Sequence, residues 1–199
     1  MTNMPSFEPT TKKEEIKESF KQFAWETLKI IIISLVIIFP VRYYLIQPFY
    51  VKGQSMEPNF HDNEYLIINE IGYRFNNPER GDIVVFKYPK NPSEFYIKRV
   101  IGLPGERIKI TDGEVTIFNA ENPNGKVLDE SSYLAPGTET SGKLETNLGA
   151  NEFFVLGDNR SSSKDSRYFG TVDKEFIVGK TWIRGWPFNR IKIFEKQNY

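Results

Sequence analysis

The chain has no cysteine and a single histidine, His61, and these two scarcities exclude several kinds of chemistry. Without cysteine there is no disulfide, no thiol nucleophile and no cysteine-bound zinc. A Ser-His-Asp hydrolase would have to use His61, which lies after Pro58 in a polar stretch typical of a turn. We therefore interpret His61 as an exposed turn residue. Proton transfer near neutral pH would then need another group whose pKa is shifted.

The chain also lacks an excess of either charge, with 26 basic and 26 acidic side chains among 199 residues. This balance gives no indication of a nucleic-acid partner. With one histidine, no cysteine and no glycine-rich phosphate loop, the sequence leads us to expect neither a cofactor nor a metal. The length suits one domain with a small appendage.

One apolar run, from Ile30 to Val41, follows a charged N-terminal segment. It is shorter than the ~20 residues that usually span a bilayer, but Lys29 and Arg42 at its ends can extend their charged heads to the two interfaces. We predict a charged tail over residues 1–23 and a transmembrane anchor over about 24–46. Because lysines are more numerous before the run than after it, the tail is predicted to be cytoplasmic and the remainder extracytoplasmic.

Two alternatives to an anchor are a buried core helix and a cleaved signal peptide. The segment Ile30–Ile33 has no polar face to present to water, which disfavours a core helix. A signal peptide would be followed by small residues at its cleavage site, whereas Arg42-Tyr43-Tyr44 stands there. An uncleaved anchor is the better interpretation.

Residues 47–199 have the pattern of a β-rich domain, with short apolar runs separated by turns. Asp112-Gly113 between two alternating runs indicates a hairpin. Residues 120–150 are poor in aliphatic side chains and are interpreted as a variable excursion from the β core. The predicted strands are Phe49–Val51, Tyr65–Asn69, Asp82–Tyr88, Phe95–Ile101, Arg107–Thr111, Glu114–Phe118, Glu152–Leu156, Phe176–Arg184 and Arg190–Phe194.

Ser55 is a candidate nucleophile in the segment Gly53–Pro58. Gly53 permits a tight turn, and Pro58 resists continuation as a regular strand. Such a turn can direct the Ser55 hydroxyl and its backbone N–H to one point, where the N–H would stabilise an oxyanion. A serine hydroxyl still needs a base to accept its proton.

Lys98 lies within the apolar run Phe95–Ile101, on the same strand face as Tyr96 and Val100. On a solvated edge strand it would be an ordinary surface lysine. If its face is buried, desolvation lowers its pKa, and a fall to near 7 requires roughly 4 kcal/mol. The neutral amine could then accept the Ser55 proton.

A third polar segment, Gly157–Gly170, directly follows the apolar strand that ends at Leu156. It is rich in hydroxyls and in charges of both signs. A solvated loop is the simpler interpretation, but its position favours a network that holds a loop against the core.

Together these segments resemble the signature boxes of bacterial type I signal peptidases, membrane-bound serine proteases that remove signal peptides from exported proteins. The serine box is similar to Gly53–Pro58, the lysine box to Tyr96–Gly105 and the third box to Gly157–Gly170, while Arg80–Phe86 fits a fourth element. The four occur in the family's order behind an N-terminal anchor. The resemblance implies a mainly β catalytic domain, a signal-peptidase-like barrel or sandwich, behind a single transmembrane helix.

The resemblance also implies roles for individual residues. Ser55 takes the place of the nucleophile, Lys98 that of the general base, and Ser163 that of a serine whose hydroxyl orients the lysine. Some members have a serine at the position of Gly53 that helps to stabilise the oxyanion, so here the Ser55 N–H must act with other donors. The substrate groove would be lined by Phe49, Val51, Met56, Tyr96 and Ile97. The residues expected to support the site are Arg99, Asp158, Asn159, Arg160, Asp165 and Arg167.

The implied function is cleavage of secretory preproteins at the bacterial plasma membrane, after small residues in an Ala-x-Ala pattern. An association with the secretion translocon is possible on this interpretation. Lys164 is a departure, because some relatives carry a small residue there, and its charge would lower the pKa of a nearby lysine.

Two other kinds of serine protease fit this sequence less well. A self-cleaving repressor-type protease needs a DNA-binding domain in front, and a eukaryotic-type signal peptidase has histidine in place of Lys98. A membrane-tethered β domain that only binds peptides or proteins, or an inactive paralogue, remains the alternative.

Overall fold

The computed structural model describes residues 12–40 and 46–194, and the chain divides into two units, residues 1–43 and 44–199. The finer division into tail, anchor and catalytic domain stays a prediction. Residues 1–11 of the predicted tail and residues 41–45 of the predicted anchor lie outside the described residues.

The first unit contains one long helix, α1, Lys12–Pro40. Within it, Ser19–Phe39 has a mean hydropathy of 1.8 over 21 residues, which is long and apolar enough to cross a membrane. Its large apolar side chains, from Phe20 to Phe39, are exposed. A helix with exposed apolar side chains on every face is suited to lipid rather than to water. Ile46, the last residue of the predicted anchor, instead begins the first strand.

The second unit is built on two antiparallel sheets, and the prediction of a mainly β fold is confirmed. The larger sheet has the order β1-β2-β11-β3-β4-β9-β10, with β12 paired to β11, and the smaller has the order β7-β6-β5-β8. The strands are β1 Ile46–Tyr50, β2 Tyr65–Asn69, β3 Ile83–Tyr88, β4 Asn91–Gly102, β5 Arg107–Thr111, β6 Glu114–Phe118, β7 Lys126–Val127, β8 Leu144–Asn147, β9 Glu152–Leu156, β10 Val172–Asp173, β11 Ile177–Trp186 and β12 Lys192–Ile193. The described part of this unit also contains two short α-helices, α2 Gly72–Phe75 and α3 Ser166–Phe169, and two 3-10 helices, Lys174–Phe176 and Phe188–Arg190.

The predicted hairpin between β5 and β6 is present. Asp112 and Gly113 have φ angles of 52° and 84°, the left-handed backbone that a two-residue turn between twisted strands requires. The first strand begins earlier than predicted and contains Pro48. Proline is tolerated there because β1 is an edge strand, whose outward backbone groups face no other strand in the described part of the chain.

Strand β4 positions the candidate site because its two faces pack against different parts of the core. Ile97 contacts the apolar cluster that contains Val85. Tyr96 and Val100 belong to the opposite cluster, which contains Phe86. The Lys98 face is therefore a core face, which is the condition for a shifted lysine pKa.

Candidate active site

Ser55 and Lys98 meet although they are far apart in sequence. The Lys98 Nζ lies 2.7 Å from the Ser55 Oγ, and it also donates to the Ile97 carbonyl at 2.8 Å. Lys98 is only 3% exposed, whereas Ser55 is half-buried and faces an open cavity. A base within hydrogen-bond distance of an accessible hydroxyl is the geometry that nucleophilic catalysis requires.

Burial is the main influence on the Lys98 amine. It lowers the pKa of Lys98 from 10.5 to about 8, while the nearby carboxylates Asp165 and Asp158 act in the opposite direction. These carboxylates are themselves paired with arginines, which limits their field. The neutral amine is therefore accessible at weakly alkaline pH. Lys164 is not among the groups that set this pKa.

The turn before Ser55 is held by backbone contacts. Gly53 has a φ of +90°, where glycine is favoured, and its N–H donates to the Asp62 carboxylate at 2.7 Å. Asn159 holds the other side of the turn: its backbone N–H donates to the Ser55 carbonyl, and its side chain donates to the Gln54 carbonyl, each at 3.1 Å. The third box thus fixes the direction of the nucleophile.

These contacts also bear on the oxyanion site. The Gly53 N–H is already committed to Asp62, so Gly53 contributes the turn rather than a donor. Among the described residues the Ser55 N–H has no hydrogen-bond acceptor. It is therefore available to stabilise an oxyanion beside the Ser55 hydroxyl.

Ser163 is buried beside the same turn, but its hydroxyl has no hydrogen-bond partner among the described residues. A Cβ on Gly157 would lie 2.1 Å from the Ser163 Oγ and 2.4 Å from the Ser55 carbonyl oxygen. Only glycine at this position lets the serine box and the third box approach so closely. The orientation of Lys98 by Ser163 stays a prediction.

A buried ion pair joins the lysine strand to the third box. Arg99 binds Asp158 through two hydrogen bonds of 2.7 Å, and both side chains are almost fully buried. The Arg99 guanidinium lies 4.0 Å from the centre of the Tyr133 ring. The Asn59 amide donates to Asp158 at 2.8 Å and to the Tyr133 carbonyl at 2.7 Å. These contacts connect the lysine box and the third box with Asn59, the residue that follows the serine box.

Asp165 and Arg167 brace the third box from within. The Asp165 carboxylate accepts from the Gly157 N–H at 3.1 Å and from Arg167 at 2.8 and 2.9 Å. Arg167 also donates to the Arg160 carbonyl at 2.7 Å. Neither side chain has a hydrogen bond to Ser55 or Lys98 among the described residues, and their supporting role stays a prediction.

The excursion over residues 120–150 contributes to this support, which the sequence did not indicate. Arg160, only 2% exposed, binds both Glu130 oxygens at 2.8 and 2.6 Å. Tyr133 covers Arg99 from the same segment. Neither Glu130 nor Tyr133 lies in a recognisable sequence motif. Their roles depend on contacts with residues that are distant in sequence. Asn59 differs, because its position directly after the serine box could have indicated a role in the site.

A cavity of about 510 Å³ runs from Ser55 and Lys98 along β1 and β4. Four of the five predicted groove residues line it, namely Phe49, Val51, Tyr96 and Ile97. The fifth, Met56, is buried in the apolar cluster that also contains Val51. At the far end of the cavity the rings of Phe49 and Phe95 lie 5.3 Å apart.

The backbone beside this cavity has unpaired edges. In the described sheet β1 pairs only with β2, and the part of β4 from Phe95 to Lys98 pairs only with β3, because pairing with β9 starts at Arg99. An extended peptide could therefore add a strand here, with apolar side chains of the groove around it.

Comparisons with known proteins place similar sequences in one family. The family model described as signal peptidase, peptidase S26, matches residues 24–186. A protein named signal peptidase I from Leptolyngbya laminosa is 40% identical over 174 residues, covering 83% of this chain and 81% of the relative. One named probable signal peptidase I-2 from Synechocystis sp. is 37% identical over 190 residues, covering 92% and 82%. A crystal structure of a signal peptidase I from Enterococcus faecalis V583 is 31% identical, with a TM-score of 0.43, and covers 53% of this chain and 97% of that one.

Proposed function

The chain belongs to the signal peptidase family, peptidase S26, and from this premise we propose that Ser55 is its nucleophile and Lys98 its general base. The family membership makes the protein a serine peptidase that removes signal peptides. The observation that carries the residue assignment is the 2.7 Å contact between the Ser55 hydroxyl and a buried lysine. A tethered domain that only binds peptides has no need of a desolvated amine at a serine hydroxyl.

The reaction begins with neutral Lys98. As the Ser55 Oγ attacks the scissile carbonyl carbon, its proton passes to the Lys98 Nζ, and the Ser55 N–H stabilises the resulting oxyanion. The ammonium then protonates the leaving amine as the C–N bond breaks, which leaves an acyl group on Ser55. Water, deprotonated by Lys98, attacks this ester, and the proton returns to the Ser55 Oγ as the signal peptide leaves.

The substrate is a secretory preprotein whose signal-peptide end lies as an extended strand between β1 and β4. We infer that the small residues one and three before the cut face Ile97, Val85 and Leu66, which line the cavity and belong to one apolar cluster. Backbone hydrogen bonds to the unpaired strand edges would hold the chain without reading its other side chains.

The described helix supports a membrane-anchored enzyme. We place it in the bacterial plasma membrane as a single span, with the charged N-terminus cytoplasmic and the β domain outside. This orientation rests on the lysines that precede the apolar run. An association with the secretion translocon is compatible with this placement.

The test compares detergent-solubilised wild type with Ser55→Ala and Lys98→Ala on a preprotein peptide that carries an Ala-x-Ala site. We expect cleavage after the second alanine by wild type alone, while both variants keep the wild-type circular dichroism. Substantial cleavage by Lys98→Ala would refute the serine–lysine mechanism. If wild type fails where another signal peptidase cuts the same peptide, a binding domain or inactive paralogue becomes the better interpretation.

A further inference from the structure

Lys164 brings a cation to the groove that the proposed reaction does not use. It is exposed and lines the same cavity as Ser55 and Lys98. Its Nζ lies 4.7 Å from the centre of the Tyr88 ring, and among the described residues it makes no ion pair with a carboxylate. Interaction with Tyr88 and Tyr96 raises the pKa of Lys164, so it stays charged at neutral and weakly alkaline pH.

The position of Lys164 relative to β4 follows from stacked rings. Tyr88 and Tyr96 stack with their centres 4.6 Å apart and their planes 6° from parallel. Tyr96 shares its strand face with Lys98, whereas Ile97 points to the opposite face. Lys164, over Tyr88, therefore lies on the Lys98 side of the groove.

An extended substrate in this groove directs alternate side chains to opposite sides. If the small residues one and three before the cut point towards Ile97 and its apolar neighbours, the residue between them points towards Tyr96 and Lys164. We propose that Lys164 is a specificity-determining residue that favours a carboxylate side chain on the substrate residue two before the cut. This inference rests on the proposed function, because it needs the substrate to lie as an added strand.

Two other charged side chains line the cavity, Lys52, which acts in the same direction as Lys164, and Glu94, which opposes it. Lys52 is exposed and lines the cavity from the end of β1. The single acidic lining residue, Glu94, accepts hydrogen bonds from the Asn91 amide at 2.8 Å and from the Tyr96 hydroxyl at 3.3 Å. Lys98 is neutral in the reacting form. The lining thus has a net positive charge, which disfavours a lysine or arginine at the same substrate position.

The experiment measures kcat/KM for three peptides that differ only in the middle residue of the site, Ala-Asp-Ala, Ala-Asn-Ala and Ala-Lys-Ala. With wild type at low ionic strength we expect the order Asp, Asn, Lys, with steps of about two- to fivefold, the range of an exposed ion pair. Lys164→Glu should reverse the order. Lys143→Glu makes the same charge change at an exposed lysine outside the cavity and should keep the wild-type order. Added salt should reduce the differences.

The outcomes separate this inference from the proposed function. Cleavage of all three peptides at equal rates, or an order that Lys164→Glu does not alter, overturns the role of Lys164 and leaves the peptidase intact. If no peptide is cut, the role of Lys164 is still tested by the affinities of the three peptides for Ser55→Ala, measured by fluorescence anisotropy. Tighter binding of the Asp peptide that is lost in the Ser55→Ala, Lys164→Glu double variant supports the inference, and equal affinities refute it.

Discussion

The dependence of cleavage on pH is the most direct consequence of the buried lysine. Because the pKa of Lys98 is about 8, only about one molecule in ten has a neutral amine at pH 7, and about nine in ten at pH 9. We expect kcat/KM to rise about tenfold from pH 6 to pH 7 and to level off above about pH 9. The fall in pKa from 10.5 corresponds to about 3 kcal/mol in favour of the neutral amine.

The assay follows cleavage of a fluorogenic peptide from pH 6 to 10.5 in detergent. The peptide should carry Ala-Asn-Ala and no ionisable group near the cut, so that neither substrate titration nor Lys164 distorts the profile. Stability at each pH is checked by returning a sample to pH 8 and measuring recovered activity.

Two results would refute this reasoning. If kcat/KM keeps rising tenfold per pH unit beyond pH 10, Lys98 has the pKa of an exposed lysine, and burial does not act as the structure indicates. If the profile is flat from pH 6 to 9, the step controlled by Lys98 does not limit kcat/KM, or another group is the base.

Three further predictions concern stability as well as activity. Lys98→Met should abolish cleavage yet raise the free energy of unfolding at pH 7 by up to about 3 kcal/mol, measured by urea unfolding. The pKa of Lys98 is lower in the folded state than in the unfolded state, so the penalty for burying the ammonium is fully present below pH 8 and disappears as the pH rises to about 10.5. The higher free energy of unfolding of Lys98→Met should therefore disappear at about pH 10.5. In Gly157→Ala the added methyl would overlap the serine turn, so the variant should lose most of its kcat and about 1–3 kcal/mol of its free energy of unfolding. Gly185→Ala, with no atom within 4 Å of its Cβ, should keep the wild-type kcat and free energy of unfolding. Glu130→Gln leaves the buried Arg160 without its counter-ion and should lower the free energy of unfolding by about 3–5 kcal/mol. Glu145→Gln, in an exposed pair, should lower it by less than about 1 kcal/mol. Equal effects of the two variants in thermal unfolding would contradict the supporting role of residues 120–150.

Four strands have their predicted bounds, three with alternating burial and one, Glu152–Leu156, buried along most of its length. Arg107–Thr111 and Glu114–Phe118 occur within their predicted bounds, because hydrophobic alternation and a turn at Asp112 act locally. The short strands Lys126–Val127 and Leu144–Asn147 were missed. They contain few apolar residues and pair only because β5 and β6 offer open edges, which is a tertiary property.

The residues of the candidate site also fall into two groups, those that a local sequence segment indicates and those that only tertiary contacts reveal. Ser55 and Lys98 were identified from local segments and the family resemblance, but the sequence alone could not decide whether the Lys98 face is buried. That depends on β3, β9 and α3 packing around it. The contacts of Glu130 with Arg160 and of Tyr133 with Arg99 were not predicted, since nothing local marks a residue whose partner is a distant guanidinium.

The backbone clamp at Gln54 has a practical consequence for labelling. Asn159 holds this residue through its carbonyl, and the Gln54 side chain is exposed and makes no hydrogen bond among the described residues. The chain contains no cysteine, so Gln54→Cys would create a unique thiol next to the nucleophile. A fluorophore attached there would report the arrival and departure of each peptide in real time, including in an enzyme whose serine has been removed.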